Sequence, residues 1–316
     1  MITAKVIADS MSPAGKRITT FVCEYPRFIH AEIMTHRMLS RCAASSRAIP
    51  VAKMLSRVYE NPAAPEWWGA NQKGMQAEEE LTGDARGRAE REWWYARDNA
   101  VASASALVDQ GLHKQLANRL IEPWLNIIIV CTATEWDNFY SLRLDKMAQP
   151  EFRVLAEKML AHHNASEPRL LAPGEWHLPF ISEEEKLDLD GRSSEELWLP
   201  WIKASVARCA RVSTLNHDGS KPDLVADLAL HDRLLAAHHV SPFEHQARPV
   251  AFEDVFDPDA YDPQLGRGSE VDLREQSLYR SGNFVGWVQY RKGLTGENVE
   301  RFSGLLDKSY IARDAR

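Results

Sequence analysis

The amino-acid sequence predicts an α+β protein, and two observations carry that reading. Apolar residues alternate near the start (Ile2, Ala4, Val6, then Ile18, Phe21, Val22), which predicts two strands. The middle of the chain is instead rich in Ala, Glu, Arg and Leu, which predicts helices. The turn Ser12-Pro13-Ala14-Gly15 joins the strands, because proline and glycine preset a reversal. Residues 51–75 contain Pro62, Pro65, Trp67, Trp68 and Gly69 and read as an irregular loop, packing its aromatics on the body or closing as a lid. From Gln76 to about Gln110 a long helix is expected, interrupted near 83–87 and stopped at Gly111. A second helical piece, Lys114 to Ile121, ends before Pro123, and Leu125 to Leu142 is apolar enough to be buried. Pro150 suits the first turn of a helix whose Phe152, Leu155 and Met159 share a face, with Arg153 at its edge.

Beyond residue 164 the pattern weakens. Residues 164–200, with prolines and the run Ser182-Glu183-Glu184-Glu185-Lys186, read as a solvated connection with short helices. A helix is expected from Pro200 to Val212, then the turn Asn216-His217-Asp218-Gly219. Ser220 is expected to cap a further helix with Leu224, Leu228 and Leu235 on one face. The acidic stretch 253–275 reads as an exposed insertion, and a short terminal helix follows Phe284 to Lys292. The chain is then one unit of 316 residues, or two half-units, 1–165 and 200–316, joined by a polar connection at about 166–199.

The stretch Pro26 to Pro50 carries the most chemistry. It places His36, Arg37, Arg41 and Arg47 among Ser40, Ser45 and Ser46, behind an apolar lead-in of Phe28, Ile29 and Ile33. Guanidinium forks match phosphate oxygens, so this reads as an anion site with its arginines held in a cleft; the alternative is a helix start with surface arginines. Cys42 lies among those arginines, a setting that lowers a thiol pKa, unless it is a small buried filler. His238, His239, Glu244 and His245 invite a metal reading, but the spacing is not H-E-x-x-H and Pro242 breaks any common helix, so no metal is expected.

Composition narrows the class. With 44% hydrophobic and 26% charged residues the chain is that of a soluble globular protein, and no apolar run approaches the ~20 residues of a membrane span. No secretory leader is read at Met1 to Ile7, since Asp9, Ser10 and Lys16 follow at once. Four dispersed cysteines without a C-x-x-C pair point to a reducing cytoplasm. A net charge of −7 argues against a general nucleic-acid binder but admits a small anionic ligand in a local basic pocket.

The spacing His36-Arg37-x-x-Ser40-x-x-x-x-Ser45-x-Arg47 resembles the R-H-R-x-x-S-x-N-E-x-S-x-R-Y signature of the flavin-dependent thymidylate synthases, the ThyX family. Thr35, Cys42, Ala43 and Ala48 depart from it, at the places of its first Arg, Asn, Glu and Tyr. Ala210-Arg211-Val212-Ser213 is similar to the family's A-R-V-S segment, and His239-x-Ser241-Pro242-Phe243-Glu244-His245 to its H-x-S/T-P-F-E-H segment. Leu142-Arg143, then Ala148-Gln149-x-Glu151-x-Arg153, is similar to its L-R-x-x-x-x-A-Q-x-E-I-R helix. The order is permuted, since the family places A-R-V-S and S-P-F-E-H before R-H-R. Phe284 to Lys292 resembles a degenerate second copy of the strand that enters R-H-R.

The resemblance implies a mixed α/β fold with long helices on an antiparallel-rich sheet, assembled as a homotetramer. It implies reductive methylation of dUMP at C5, with FAD as carrier, NADPH as hydride source and methylenetetrahydrofolate as carbon donor. By the same resemblance Ser45 and Arg47 hold the nucleotide phosphate, and Arg153 contacts the pyrimidine as the catalytic group. His36, Arg37, Arg143, Ser213, His239, Ser241 and Glu244 line the FAD. The departures at Ala43 and Ala48 leave open UMP or dCMP as substrate, hydroxymethyl transfer, a flavin- or nucleotide-binding protein without catalysis, or a structural helical protein.

Overall fold

The computed structural model describes residues 1–44, 49–172, 174–187, 195–215, 220, 223–250 and 281–294. Strands β1 (Thr3–Met11) and β2 (Arg17–Pro26) form the expected antiparallel hairpin, with a bulge between Val6 and Ala8. Gly15 turns the corner at φ +73°, where a Cβ would be strained, and the Ser12 hydroxyl accepts from the Lys16 amide at 3.0 Å. One 3-10 turn, Arg27–Ile29, and the short helix α1 (His30–Ile33) then lead to β3 (Ser40–Ala43). Strand β4 (Asn126–Ala133) inserts between β2 and β3, antiparallel to both. With β5 (Arg169–Leu170) parallel to β1, the sheet order is β3-β4-β2-β1-β5. The sheet is therefore antiparallel but for one edge.

Between β3 and β4 lie α2 (Val51–Glu60), α3 (Gly83–Asp109) and α4 (Lys114–Ala117), then a 3-10 run over Asn118–Trp124. Met54, Val58, Val101, Ala104, Ile121 and Trp124 give this layer its own core. Helix α2 corrects the irregular loop expected over 51–75. Val51, Met54, Leu55 and Val58 recur at helical spacing, and the prolines belong only to the second half of that stretch. The long helix also starts later than expected, at Gly83. Residues 68–81 instead fold back on themselves, with Ala70 N donating to Glu79 O and Leu81 N to Trp68 O. Gly69 is needed there, because an added Cβ would meet the Ala77 Cβ at 2.3 Å.

The sheet is covered on both faces, which is why no residue of β2 or β4 is exposed. On one face Phe21, Cys23, Tyr25, Ile127, Ile129 and Cys131 pack with α5 (Asp137–Arg143) and α6 (Pro150–Ala165). Phe152, Leu155 and Met159 are fully buried as their spacing requires, each contributing about 1.5–3 kcal/mol. On the other face Val22, Ile128 and Val130 meet Cys209 and Val212. These come from the end of a downstream helix, the second of α7 (Glu183–Leu187), α8 (Glu195–Arg211) and α9 (Leu224–Ala236). The same face holds a buried polar chain in which successive groups bond at 2.7–2.9 Å: Ser10, His177, Thr20, Thr132 and His245.

The segment read as a surface connection is partly core. Trp176, Leu178 and Ile181 are buried with Trp198 and Ile202, and Leu171 joins Ile18, Ala247, Phe284 and Trp287. Its acidic run hid this, since Ser182, Glu183 and Glu184 are exposed between the apolar residues that turn inward on either side, Ile181 and Trp198. Helix α8 starts at Glu195 rather than Pro200, and α9 is capped by Asp223, which accepts from the Ala226 amide at 2.6 Å, rather than by Ser220. On α9 Asp227 and His231 are buried while Leu224, Leu228 and Leu235 are half-buried. Strands β6 (Ala247–Pro249) and β7 (Trp287–Gln289) pair with each other in a separate antiparallel ribbon, so the Phe284 to Lys292 segment does not join the main sheet. The expected turn at 216–219, the insertion at 253–275 and the terminal helix lie outside the described residues.

Candidate active site

His36 and Arg143, 107 positions apart, are brought together at one end of the sheet. Helix α1 and the turn after it bury the His36 ring against Phe139 and Phe152, with centroids at 5.1 and 6.0 Å. Arg143 ends α5, donates from Nε to His36 Nε2 at 2.8 Å, pairs with Glu32 at 3.1 Å and lies 4.4 Å above the Phe152 ring. Burial first, then the charges of Arg143 and Arg41, push the His36 pKa down to about 4. His36 is therefore a neutral acceptor that fixes the Arg143 guanidinium.

Arg143 and Glu32 line a cavity of about 790 Å³, walled by Phe28, Trp67, Trp93, Met75 and Met147. Such volume is typical of a small-molecule site. Glu151, buried at its rim, accepts from the Glu66 amide at 2.9 Å and so ties the 61–82 segment to α6. Trp68 meets Trp93 edge-on, and Arg86 lies over the Trp68 ring at 5.8 Å. Aromatic walls with one oriented guanidinium suit a planar conjugated ring with a carbonyl edge. The residues present thus fit the ring system of a flavin.

A second cavity, about 230 Å³, lies by the opposite face, where α8 ends. Its wall includes Arg27, Lys53, Arg57, Arg211 and Ser213, together with Ala44 and Ile49, which flank Ser45–Ala48 in sequence. Val212 sits at φ +57°, a strained conformation for a β-branched residue, held by Val212 N donating to Cys209 O and Ser213 N to Arg208 O. Arg208 and Arg211 converge on the fully buried Asp227, and Arg208 also holds Glu185. Sequence reasoning missed Arg27, Lys53 and Arg57. The signal was available, since Lys53 and Arg57 are four apart on α2 and share a face once that helix is recognised.

The third group surrounds β3. Ser40 donates to Asn283 Oδ1 at 3.0 Å and accepts from Gln289 Nε2 at 3.3 Å, so β7 and the turn before it lock onto the start of the strand. Arg41 donates to the carbonyls of Ile33 and His36 at 2.9 and 2.8 Å, which caps the end of α1 rather than presenting a guanidinium to a cleft. Cys42 is buried and its thiol is pushed up to about 12, chiefly by burial, which favours the small buried filler over a thiol activated by arginines. Glu244, in the 3-10 turn Ser241–Glu244, is held by Arg291, and burial nevertheless raises its pKa.

The remaining candidates are dispersed. Arg37, His239 and Ser241 are exposed. Arg153 pairs at 3.8 Å with Glu157 and lines neither cavity. Ser45 and Arg47 lie outside the described residues. Among the described residues no group of three His, Cys, Asp or Glu side chains is arranged to hold a metal ion, and no helix is long and apolar enough to cross a membrane.

Among the described residues the α+β fold thus presents an aromatic cavity and a cationic cavity on opposite faces of one sheet. The sequence profile of the thymidylate synthase complementing protein family, Thy1, matches residues 6–169, more than half the chain, and the chain belongs to that family. That match covers the segments around His36 and Arg143 but not those around Ser213 and Glu244. Among solved structures, similarity extends to a UMP/dUMP methylase, PolB, from Streptomyces cacaoi, determined with 5-Br UMP and with 5-Br dUMP. Both are 17% identical over 52% of this chain and cover 89% and 90% of theirs, with TM-scores of 0.43 and 0.44. No curated protein matches the sequence.

Proposed function

We propose that the chain is a flavin-dependent pyrimidine nucleotide C5-methyltransferase that takes its carbon from methylenetetrahydrofolate and its hydride from NADPH. The substrate of first choice is dUMP, with UMP, dCMP or hydroxymethyl transfer as the variants the assay separates. Family membership supports the reaction class. The observation that carries the reading is the His36–Arg143 pair at the edge of an aromatic cavity large enough for a ring-bearing cofactor.

FAD, when bound, supplies the redox chemistry. Neutral His36 accepts from Arg143 and so orients a donor toward a ring carbonyl, where it offsets developing negative charge. Ser45 and Arg47 hold the nucleotide phosphate, and Arg153 meets the pyrimidine and stabilises charge on the ring during attack at C5 or C6. Arg37, Ser213, His239, Ser241 and Glu244 complete the cofactor surface. Arg143 and Ser213 line different cavities, on opposite faces of the sheet, so different copies are needed to place both around one flavin, and we include a homotetramer in the proposal. Four free, buried cysteines suit a reducing cytoplasm.

The test is the visible spectrum of the purified protein, then anaerobic addition of NADPH and each pyrimidine monophosphate with product mass analysis. Flavin bands that bleach, followed by one nucleotide gaining a methyl mass, are the expected result. A protein that stays colourless after incubation with FAD refutes the flavin. Bound flavin without product from any nucleotide leaves a binding protein and refutes the enzyme.

A further inference from the structure

The smaller cavity has a wall chemistry that the family's motifs account for only at Arg211 to Ser213. Four cations line it, Arg27, Lys53, Arg57 and Arg211, and among the described residues no carboxylate does. In a chain of net charge −7 such a concentration of one sign needs a cause. Arg27 is offset by Glu122 at 3.0 Å and Arg211 by Asp227. Arg57, half-buried, has no carboxylate partner among the described residues.

Two further atoms point the same way. Arg211 Nε and Asn126 Oδ1 are buried without a hydrogen-bond partner among the described residues, and both belong to residues of this wall. The Arg211 side chain is only 8% exposed. One atom is a donor suited to an anion, and the other is an acceptor suited to a hydroxyl. The cavity, about 230 Å³, is smaller than the roughly 300 Å³ at which sites for whole small molecules usually begin. It has the size of a charged head group with the sugar next to it.

We infer that Arg57 and Arg211, flanked by Arg27 and Lys53, form a phosphomonoester site, with Asn126 accepting from a sugar hydroxyl beside the phosphate. The inference rests on the nucleotide reading above and gives its phosphate contacts outside the S-x-R motif. Helix α2 carries Lys53 and Arg57 four residues apart on one face, and α8 delivers Arg211 from the other side. Two guanidiniums approaching from different elements can each offer parallel N–H donors to one phosphate. Uncharged nucleosides lack the group that this wall recognises.

The experiment is calorimetric titration of the full chain with UMP, dUMP, uridine and inorganic phosphate, in wild type, Arg57→Ala and Arg57→Lys. Arg57 is chosen because no ion pair among the described residues depends on it, so the variant is expected to keep its melting temperature. Loss of the guanidinium is expected to weaken both monophosphates and inorganic phosphate by roughly ten- to hundredfold, leave uridine unchanged, and be only partly restored by lysine. Unchanged monophosphate affinity in folded Arg57→Ala, or monophosphate binding no tighter than uridine in wild type, overturns the inference. Turnover read in parallel separates it from the enzyme proposal. Weakened phosphate binding in a chain that transfers no methyl group supports the site and sinks the enzyme, whereas methyl transfer with full affinity in Arg57→Ala does the reverse.

Discussion

Asp227→Asn tests how the end of α8 is held. Asp227 is fully buried; Arg208 Nε donates to one carboxylate oxygen at 3.0 Å and Arg211 donates to the other. The substitution keeps shape and removes charge. Arg208 retains both Glu185 oxygens, at 2.7 and 3.0 Å, and the Phe180 carbonyl at 2.9 Å, so its charge stays offset. Arg211 loses its one charged partner among the described residues. Breaking a buried pair from one side costs about 3–5 kcal/mol, and the surviving Glu185 contacts place this case near 3 kcal/mol. With a urea slope of about 2 kcal/mol/M, the unfolding midpoint should fall by about 1.5 M. The variant also leaves an uncompensated guanidinium beside the anion cavity, so inorganic phosphate should bind more tightly while the fold weakens. Opposite signs in the two assays distinguish this from general loss of structure. A loss below about 1 kcal/mol, or weaker phosphate binding, would refute the reasoning.

Other consequences are equally direct. Burial pushes the pKa of His245 down to about 3, and burial with Arg143 and Arg41 pushes His36 to about 4, both below the ordinary 6.5. The unfolded chain therefore takes up these protons first, so their contribution is complete above about pH 6.5 and is lost as pH falls through 6.5 toward 4 and 3. Melting temperature should drop between pH 7 and pH 5, less steeply in His245→Gln, and an identical slope in that variant would acquit His245. Gly69→Ala forces a Cβ toward Ala77 and should cost about 1–3 kcal/mol, read by thermal melting, with earlier proteolysis within 61–82; an unchanged melt would mean the loop yields freely. Cys42, with its thiol pushed up to about 12, should resist alkylation in the folded protein, and Cys42→Ser should keep turnover; rapid labelling at pH 7 would contradict its burial.

The sequence by itself determined the parts whose cause is local. The first hairpin follows from alternation and a Gly-containing turn, and the buried face of α6 from Phe152, Leu155 and Met159 behind Pro150. The segment around His36 was legible as chemically special, and so was its kinship with the L-R and A-Q segment, because motif spacing is written in the chain. Helix α2 was legible too, but was obscured by reading it in one window with the prolines after Asn61.

What only the tertiary structure decided is the use made of each charge. Arg41 looked like an anion ligand and caps α1, while Arg57, within a stretch that reads as an irregular loop, lines a cavity. Cys42 read as either an activated thiol or a small buried filler, and it is the filler, because the arginine nearest in sequence turns away and burial dominates. His36 met Arg143 only because β4 inserts between β2 and β3 and returns α5 beside α1. Strand and helix preferences depend on neighbours a few residues away and survive in a one-dimensional reading. The charge state and partner of a side chain depend on solvent exclusion and on groups a hundred residues distant, and those exist only once the layers have packed.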